Sequence, residues 1–299
     1  MRYRSFGTSG MAISAISLAL TDLTQGRQRM DWKGLVFDAL ENGINAFEIV
    51  GQDPAISDGL AAALTSIDRH MVFIAKRLGP TPIHGDDFSA LGMTRALEAS
   101  LARTGLDYFD AVLLNDPAED ALTQEGLEAL LAIRERGQTR HIGIAGESKA
   151  IDTYISTRKF DVLSMPYSLQ SGWISRNRIR EACDQNMTII GYDFLPAVLA
   201  APPEKPLIPK RLFWGGPKSA DELKVEAYAF LHEVYGWSAE EIALAYAMTQ
   251  PALASVQLTT EHAPRLSELA AIAERDMPPG LSPRIEMARF GNGQVAARA

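Results

Sequence analysis

Cysteine is almost missing from this chain: Cys183 stands alone among 299 residues. That excludes an intramolecular disulfide framework and any metal site built from several thiolates. No run of about 18 apolar residues occurs, so no segment reads as a membrane-spanning helix and no membrane partner is expected. The basic start Met1-Arg2-Tyr3-Arg4 is followed by an apolar stretch, Met11 to Leu20, that serines interrupt. It does not read as a secretory leader, and a cytoplasmic location is the expectation. Positive charge is the minority: 29 Lys and Arg against 37 Asp and Glu give a net charge of −8. That balance is the reverse of the cation-rich footprint that phosphate backbones require, so nucleic acid is not an expected partner. The motifs G-x-G-x-x-G, H-E-x-x-H and G-x-S-x-G are all missing. The glycine-rich dinucleotide turn, the helix-borne zinc site and the serine-hydrolase elbow therefore have no support.

What is there has the composition of an ordinary globular protein, with 46% hydrophobic and 22% charged residues. Eight short β-branched or aromatic runs read as strands, at residues 15–20, 44–48, 71–75, 109–114, 141–145, 161–166, 187–192 and 253–258. Helical patterns lie between them. In 91–103, Met93, Leu97 and Leu101 share one face and Gly105 follows as a stop; 123–136 begins at Thr123 and ends before Gly137. Residues 219–235 and 238–249 read as two further helices, the second opened by a Ser238/Glu241 capping box. Strands alternating with helices imply parallel pairing, and eight such units close into a (β/α)₈ TIM barrel. The expectation is one barrel domain over residues 1–299, with a hairpin around Gly7-Thr8-Ser9-Gly10 plugging its bottom. The Pro- and Gly-rich segment 201–218 reads as a long loop of the kind that often carries function.

In such a barrel chemistry sits where strands end. The candidates are Glu48, Lys76, Asn115 with Asp116, Gly146-Glu147-Ser148, Tyr167, Tyr192 with Asp193, and Thr259-Thr260. Glu48 and Lys76 end neighbouring strands, so they are expected to pair across the mouth, either as an acid/base element or as a rim ion pair.

Several segments resemble the aldo-keto reductase family in its order and spacing: Tyr3-Arg4-Ser5-Phe6-Gly7-Thr8-Ser9-Gly10, Gly43-Ile44-Asn45-Ala46-Phe47-Glu48, Leu106-Asp107-Tyr108-Phe109-Asp110 to Asn115, and Gly137-Gln138-Thr139-Arg140-His141-Ile142-Gly143. The resemblance covers nearly the whole chain, about residues 1 to 275, and implies a (β/α)₈ barrel and NADPH-dependent reduction of aldehydes or ketones. It also implies a tetrad of Asp, Tyr, Lys and His, which falls here on Glu48, Asp53, Lys76 and Asn115. The phenolic proton donor is thus replaced by Asp53, an acid ordinarily ionised. No tyrosine occurs between Tyr3 and Tyr108. The nicotinamide carboxamide clamp implied by the resemblance falls on Ala145, Gly146 and Ser164, and Ala and Gly offer no side-chain hydrogen bond. Tyr192 matches the ring that stacks on nicotinamide. The segment that would grip a 2′-phosphate reads Thr259-Thr260-Glu261-His262-Ala263-Pro264-Arg265, of which only Arg265 fits, so NAD is less penalised than NADP.

Plain readings stand beside these. His70 and His141 belong to the bottom face, and His232 sits in a helical pattern. His84 lies in the loop after Lys76, Phe213-Trp214 form a pocket lining or a loop clip, and Cys183 is an inert thiol. Three functions stay open: a pseudoenzyme that binds a small molecule in the barrel mouth or a partner protein; a divergent NAD(P)-dependent oxidoreductase using Lys76 and Glu48 with a non-tyrosine proton donor; and a lyase or isomerase built on that same pair. The replaced positions favour the first. A homo-oligomer is compatible with all three.

Overall fold

A computed structural model describes residues 1–22, 30–79, 87–200 and 225–296. His84, Phe213-Trp214 and the 201–218 segment lie outside the described residues. Strands β1 (Tyr3–Ser5) and β2 (Ala12–Ser14) form an antiparallel hairpin. Eight parallel strands then close a barrel: β3 (Ile16–Leu20), β4 (Ala46–Ile49), β5 (Phe73–Leu78), β6 (Phe109–Asn115), β7 (Thr139–Ala145), β8 (Val162–Pro166), β9 (Thr188–Tyr192) and β10 (Leu253–Thr259). Each pairs with its neighbour in chain order, and β10 pairs back with β3. The expected (β/α)₈ barrel is therefore the architecture.

Side-chain alternation sorts the strands into two apolar layers, because successive residues point to opposite faces. Ile74 and Leu78 of β5, with Ile16, Leu18 and Leu20 of β3, face outward into the layer shared with the helices. Phe73 and Ala75 of β5 instead join Ala46, Ala111, Leu113, Ala145, Val162 and Ile190 inside the barrel. Phe6 from the hairpin enters this inner layer from below. Its ring lies 4.5 Å from Phe73 and 5.1 Å from His141, and it is fully buried. The hairpin is the expected plug, and His141 is at the bottom as expected.

The helices follow their end signals. Helix α1 (Trp32–Glu41) starts on Asp31, α2 (Pro54–Leu64) on Asp53, α3 (Ala90–Thr104) on Ser89 and α4 (Gln124–Glu135) on Thr123, each cap side chain accepting from a backbone N–H. Gly105 ends α3 in the left-handed region at φ 68°. After α5 (Ala150–Ser156) and α6 (Trp173–Asp184), Ser238 and Glu241 form both halves of the capping box that opens α7 (Ala239–Met248). Helices α8 (Ala263–Ala271) and α9 (Leu281–Ala296) complete the layer. Of the helix expected over 219–235, the described residues 225–227 are helical, whereas Ala229–Glu233 form a 3₁₀ turn, and Gly236 at φ 71° takes the chain away from helical geometry just beyond it. Cys183 is exposed on α6, and partial burial with the nearby Asp184 charge pushes its thiol up. Such a thiol is a poor nucleophile.

Candidate functional site

Glu48 sits on the inner face of β4 near the top of the barrel and is almost wholly buried. A buried carboxylate must be paired and hydrogen-bonded. Its Oε1 accepts from Arg77 Nε at 2.6 Å, and its Oε2 accepts from Gln257 Nε2 at 2.6 Å. Arg77 follows Phe73 and Ala75 on the inward parity of β5. Its Nη1 donates to Asn115 Oδ1 at 3.4 Å and its Nη2 to Ser164 Oγ at 3.5 Å, while its guanidinium lies 5.4 Å from the centre of the Tyr192 ring. Five strands thus meet on one cation: β4, β5, β6, β8 and β9, with β10 bound in through Gln257. Burial works against the Arg77 charge, but the Glu48 carboxylate, by charge and by hydrogen bond, outweighs it. The guanidinium holds its proton more tightly than an ordinary arginine.

The pairing of Glu48 with Lys76 is corrected. In the β4–β5 register Ala75 stands beside Glu48, and Lys76 stands beside Ile49. Lys76 therefore leaves the strand on the outward side, with Ile74 and Leu78. Its Nζ donates to the Gly51 carbonyl at 3.4 Å, its one hydrogen bond among the described residues. Burial pulls its ammonium down to about 8, against the opposing charges of Glu48 and Asp22.

Of the other expected site residues, Asn115, Ser164 and Tyr192 are brought together around Arg77, and Asp53 and Arg265 are not. Asp53 is exposed and caps α2, its Oδ1 accepting from Ala55 N at 2.9 Å ahead of Pro54. This is the local reason for an Asp-Pro pair at a helix start. Asp53→Ala should cost about 1 kcal/mol in urea denaturation, with ligand affinity at the mouth unchanged. Altered affinity at intact stability would return Asp53 to the site. Arg265 lies on α8 and is committed to Glu240 and, at 2.8 Å, to Glu268. Both of its Nη groups are thereby occupied.

Two members of the cluster, Arg77 and Gln257, were not singled out from the sequence. The signal for Arg77 is strand parity: Phe73, Ala75 and Arg77 share a face, and Glu48 needs a cation on that face. Gln257 carries a weaker signal, the one amide in the mostly apolar strand Leu253-Ala254-Ser255-Val256-Gln257-Leu258.

The residues present fit a nicotinamide poorly. Ala145 and Gly146 present no side-chain donor or acceptor. The Asp116 carboxylate occupies the space a side chain at 146 would fill, with Gly146 at φ 148°. The Tyr192 ring carries a guanidinium beside it, which an oxidised, positively charged nicotinamide would meet as a like charge. The Tyr192 phenol is also a weak acid here: burial pushes it up, Arg77 pulls it part-way back, and Asp193, Asp116 and Glu147 add to the rise.

Comparison with known proteins follows the fold. The model of the Aldo/keto reductase family matches residues 33–279. L-galactose dehydrogenase of Arabidopsis thaliana is 28% identical over 167 residues, 52% of this chain and 51% of that protein. A 6-dehydroglucose reductase of Novosphingobium aromaticivorans is 30% identical over 158 residues, 49% of this chain and 52% of that protein. The chain thus spans about half the length of the curated relatives it matches. Among solved structures, the holo form of aldo-keto reductase AKR11C1 from Bacillus halodurans superposes with a TM-score of 0.77 at 18% identity, covering 96% of each chain. At that identity the superposition speaks for the fold, and the family match over residues 33–279 decides the rest: this chain belongs to the aldo/keto reductase family.

Proposed function

We propose that this family member does not carry out tyrosine-dependent carbonyl reduction, and that its barrel mouth binds a small oxyanion-bearing molecule on Arg77. The observation that carries the reading is the Glu48–Arg77–Gln257 tie, which leaves the cation fixed at one edge and open at the other. The Nε edge is held at 2.6 Å, whereas the two Nη contacts are long, 3.4 and 3.5 Å. Long contacts are cheap to exchange, and the paired Nη edge of an arginine matches a carboxylate in two parallel hydrogen bonds. Asn115 can turn its amide N–H toward the same ligand, and the Tyr192 ring gives the ligand an apolar floor. No phenol of ordinary acidity faces this cluster among the described residues, so the proton that a nascent alkoxide needs has no evident source there.

The second reading, a divergent NAD(P)-linked oxidoreductase, draws on the reductase and dehydrogenase names of the relatives. It needs a nicotinamide that the residues at 145, 146 and 192 do not favour. Titration with NADPH and NADH, followed by cofactor fluorescence, separates the two. The expected result is no saturable binding up to millimolar cofactor, alongside saturable thermal stabilisation by members of a small-carboxylate panel. That stabilisation should vanish in the double variant Arg77→Gln/Glu48→Gln, in which no charge is left unpaired. Cofactor binding with turnover of any aldehyde or ketone would overturn the proposal.

A further inference from the structure

On the other side of β5 from the mouth lies a feature that the ligand site does not use. Lys76 is 5% exposed, and it lines a separate cavity of about 220 Å³ between β5, α2 and α3. The walls carry Gly51, Ser57, Gly79, Ala96, Ala99 and Ser100. Small residues leave space beside the amine, and none of these six brings a charge. Lys33, Lys149 and Lys159, the other lysines of the described residues, are all exposed. We propose that Lys76 is a reactive amine that condenses with small neutral aldehydes entering this cavity.

The charged groups around it settle which ligand class is favoured. Arg103, at the α3 wall, is spent on Asp58 through two hydrogen bonds of 2.7 Å. Arg77, behind it, is spent on Glu48. The carboxylates whose charge reaches the amine, Glu48 from within the barrel and Asp22 from the end of β3, disfavour an anionic ligand. Apart from Lys76 itself the cavity therefore has no cation free to hold a phosphate or an oxo-acid, and a neutral carbonyl compound of a few carbons fits its size. The chemistry needs no other reagent. The unprotonated amine adds to the carbonyl carbon, forming a C–N bond; the oxygen leaves as water with two protons, one from the nitrogen and one from the medium, and the resulting iminium loses its proton on reaching the neutral imine. Nothing is oxidised or reduced. The same burial that lowers the Lys76 ammonium to about 8 places about a tenth of it in the reactive form at neutral pH, against about a thousandth or less for an ordinary lysine.

The test uses the intact chain with propanal, sodium cyanoborohydride as the trapping reductant, and peptide mapping by mass spectrometry. Lys76 should be propylated about ten times faster or more at neutral pH than Lys33, Lys149 and Lys159. Its rate should level off above about pH 8, where the exposed lysines are still accelerating. Lys76→Met should abolish that modification and leave the exposed lysines unchanged. Modification of Lys76 at less than twice the rate of the exposed lysines would overturn the proposal. Because the readout is adduct formation on the other face of β5, its outcome is independent of whether Arg77 binds a ligand.

Discussion

Replacing Arg77 by methionine should destabilise the fold by about 3–5 kcal/mol, the usual cost of removing one partner from a buried ion pair. The pair is deep, with side-chain exposure of 10% for Arg77 and 3% for Glu48. In the variant the carboxylate keeps only the Gln257 amide, and its Oε1 faces apolar surroundings. The cost should reverse in large part in Arg77→Met/Glu48→Gln, since an amide at 48 can still bond Gln257 and carries no charge. Urea denaturation at constant slope measures both. A single-variant loss under about 1 kcal/mol would mean that the carboxylate finds water, and the tie would then be a rim contact rather than the centre of the mouth.

Lys76→Met should do the opposite and stabilise the chain at neutral pH by about 3 kcal/mol. The folded ammonium lies near 8, below its ordinary value of 10.5. Below about pH 8 both folded and unfolded chains hold the proton, and the folded chain bears the full penalty of a buried, weakly bonded cation. Between about 8 and 10.5 the unfolded chain still holds a proton that the folded one has released, so stability rises with pH across that window. The advantage of methionine should accordingly shrink toward zero as pH approaches 10.5. Parallel melting curves of parent and variant at several pH values would show it. A variant no more stable than the parent at pH 7 would mean that the amine is solvated and the cavity wet.

The fold was legible because the two periodicities repeat cleanly. Short apolar runs alternate with helices that carry their caps in sequence, such as Thr123 before α4 and the Ser238/Glu241 box before α7. The mouth was legible in part. Glu48, Asn115, Ser164 and Tyr192 come together because strand ends in a closed barrel converge whatever their chemistry. Lys76 and Arg77 show where reading by resemblance reaches its limit. The motif register matches lysine to lysine, but the sheet sorts adjacent residues by parity, and one step of sequence separates the two faces of β5. Asp53 is recognisable in retrospect from Pro54 beside it. The engagement of Arg265 with Glu240 is not, since it joins two helices through residues 25 positions apart.

The close approach of Asp116 to Gly146 restricts what position 146 can hold. Gly146→Asn alone would force a side chain onto a carboxylate at a backbone angle that L residues rarely adopt. A variant that puts an amide at that position must clear position 116 in the same stroke. The two positions are coupled: a side chain at 146 is admitted only where the one at 116 withdraws.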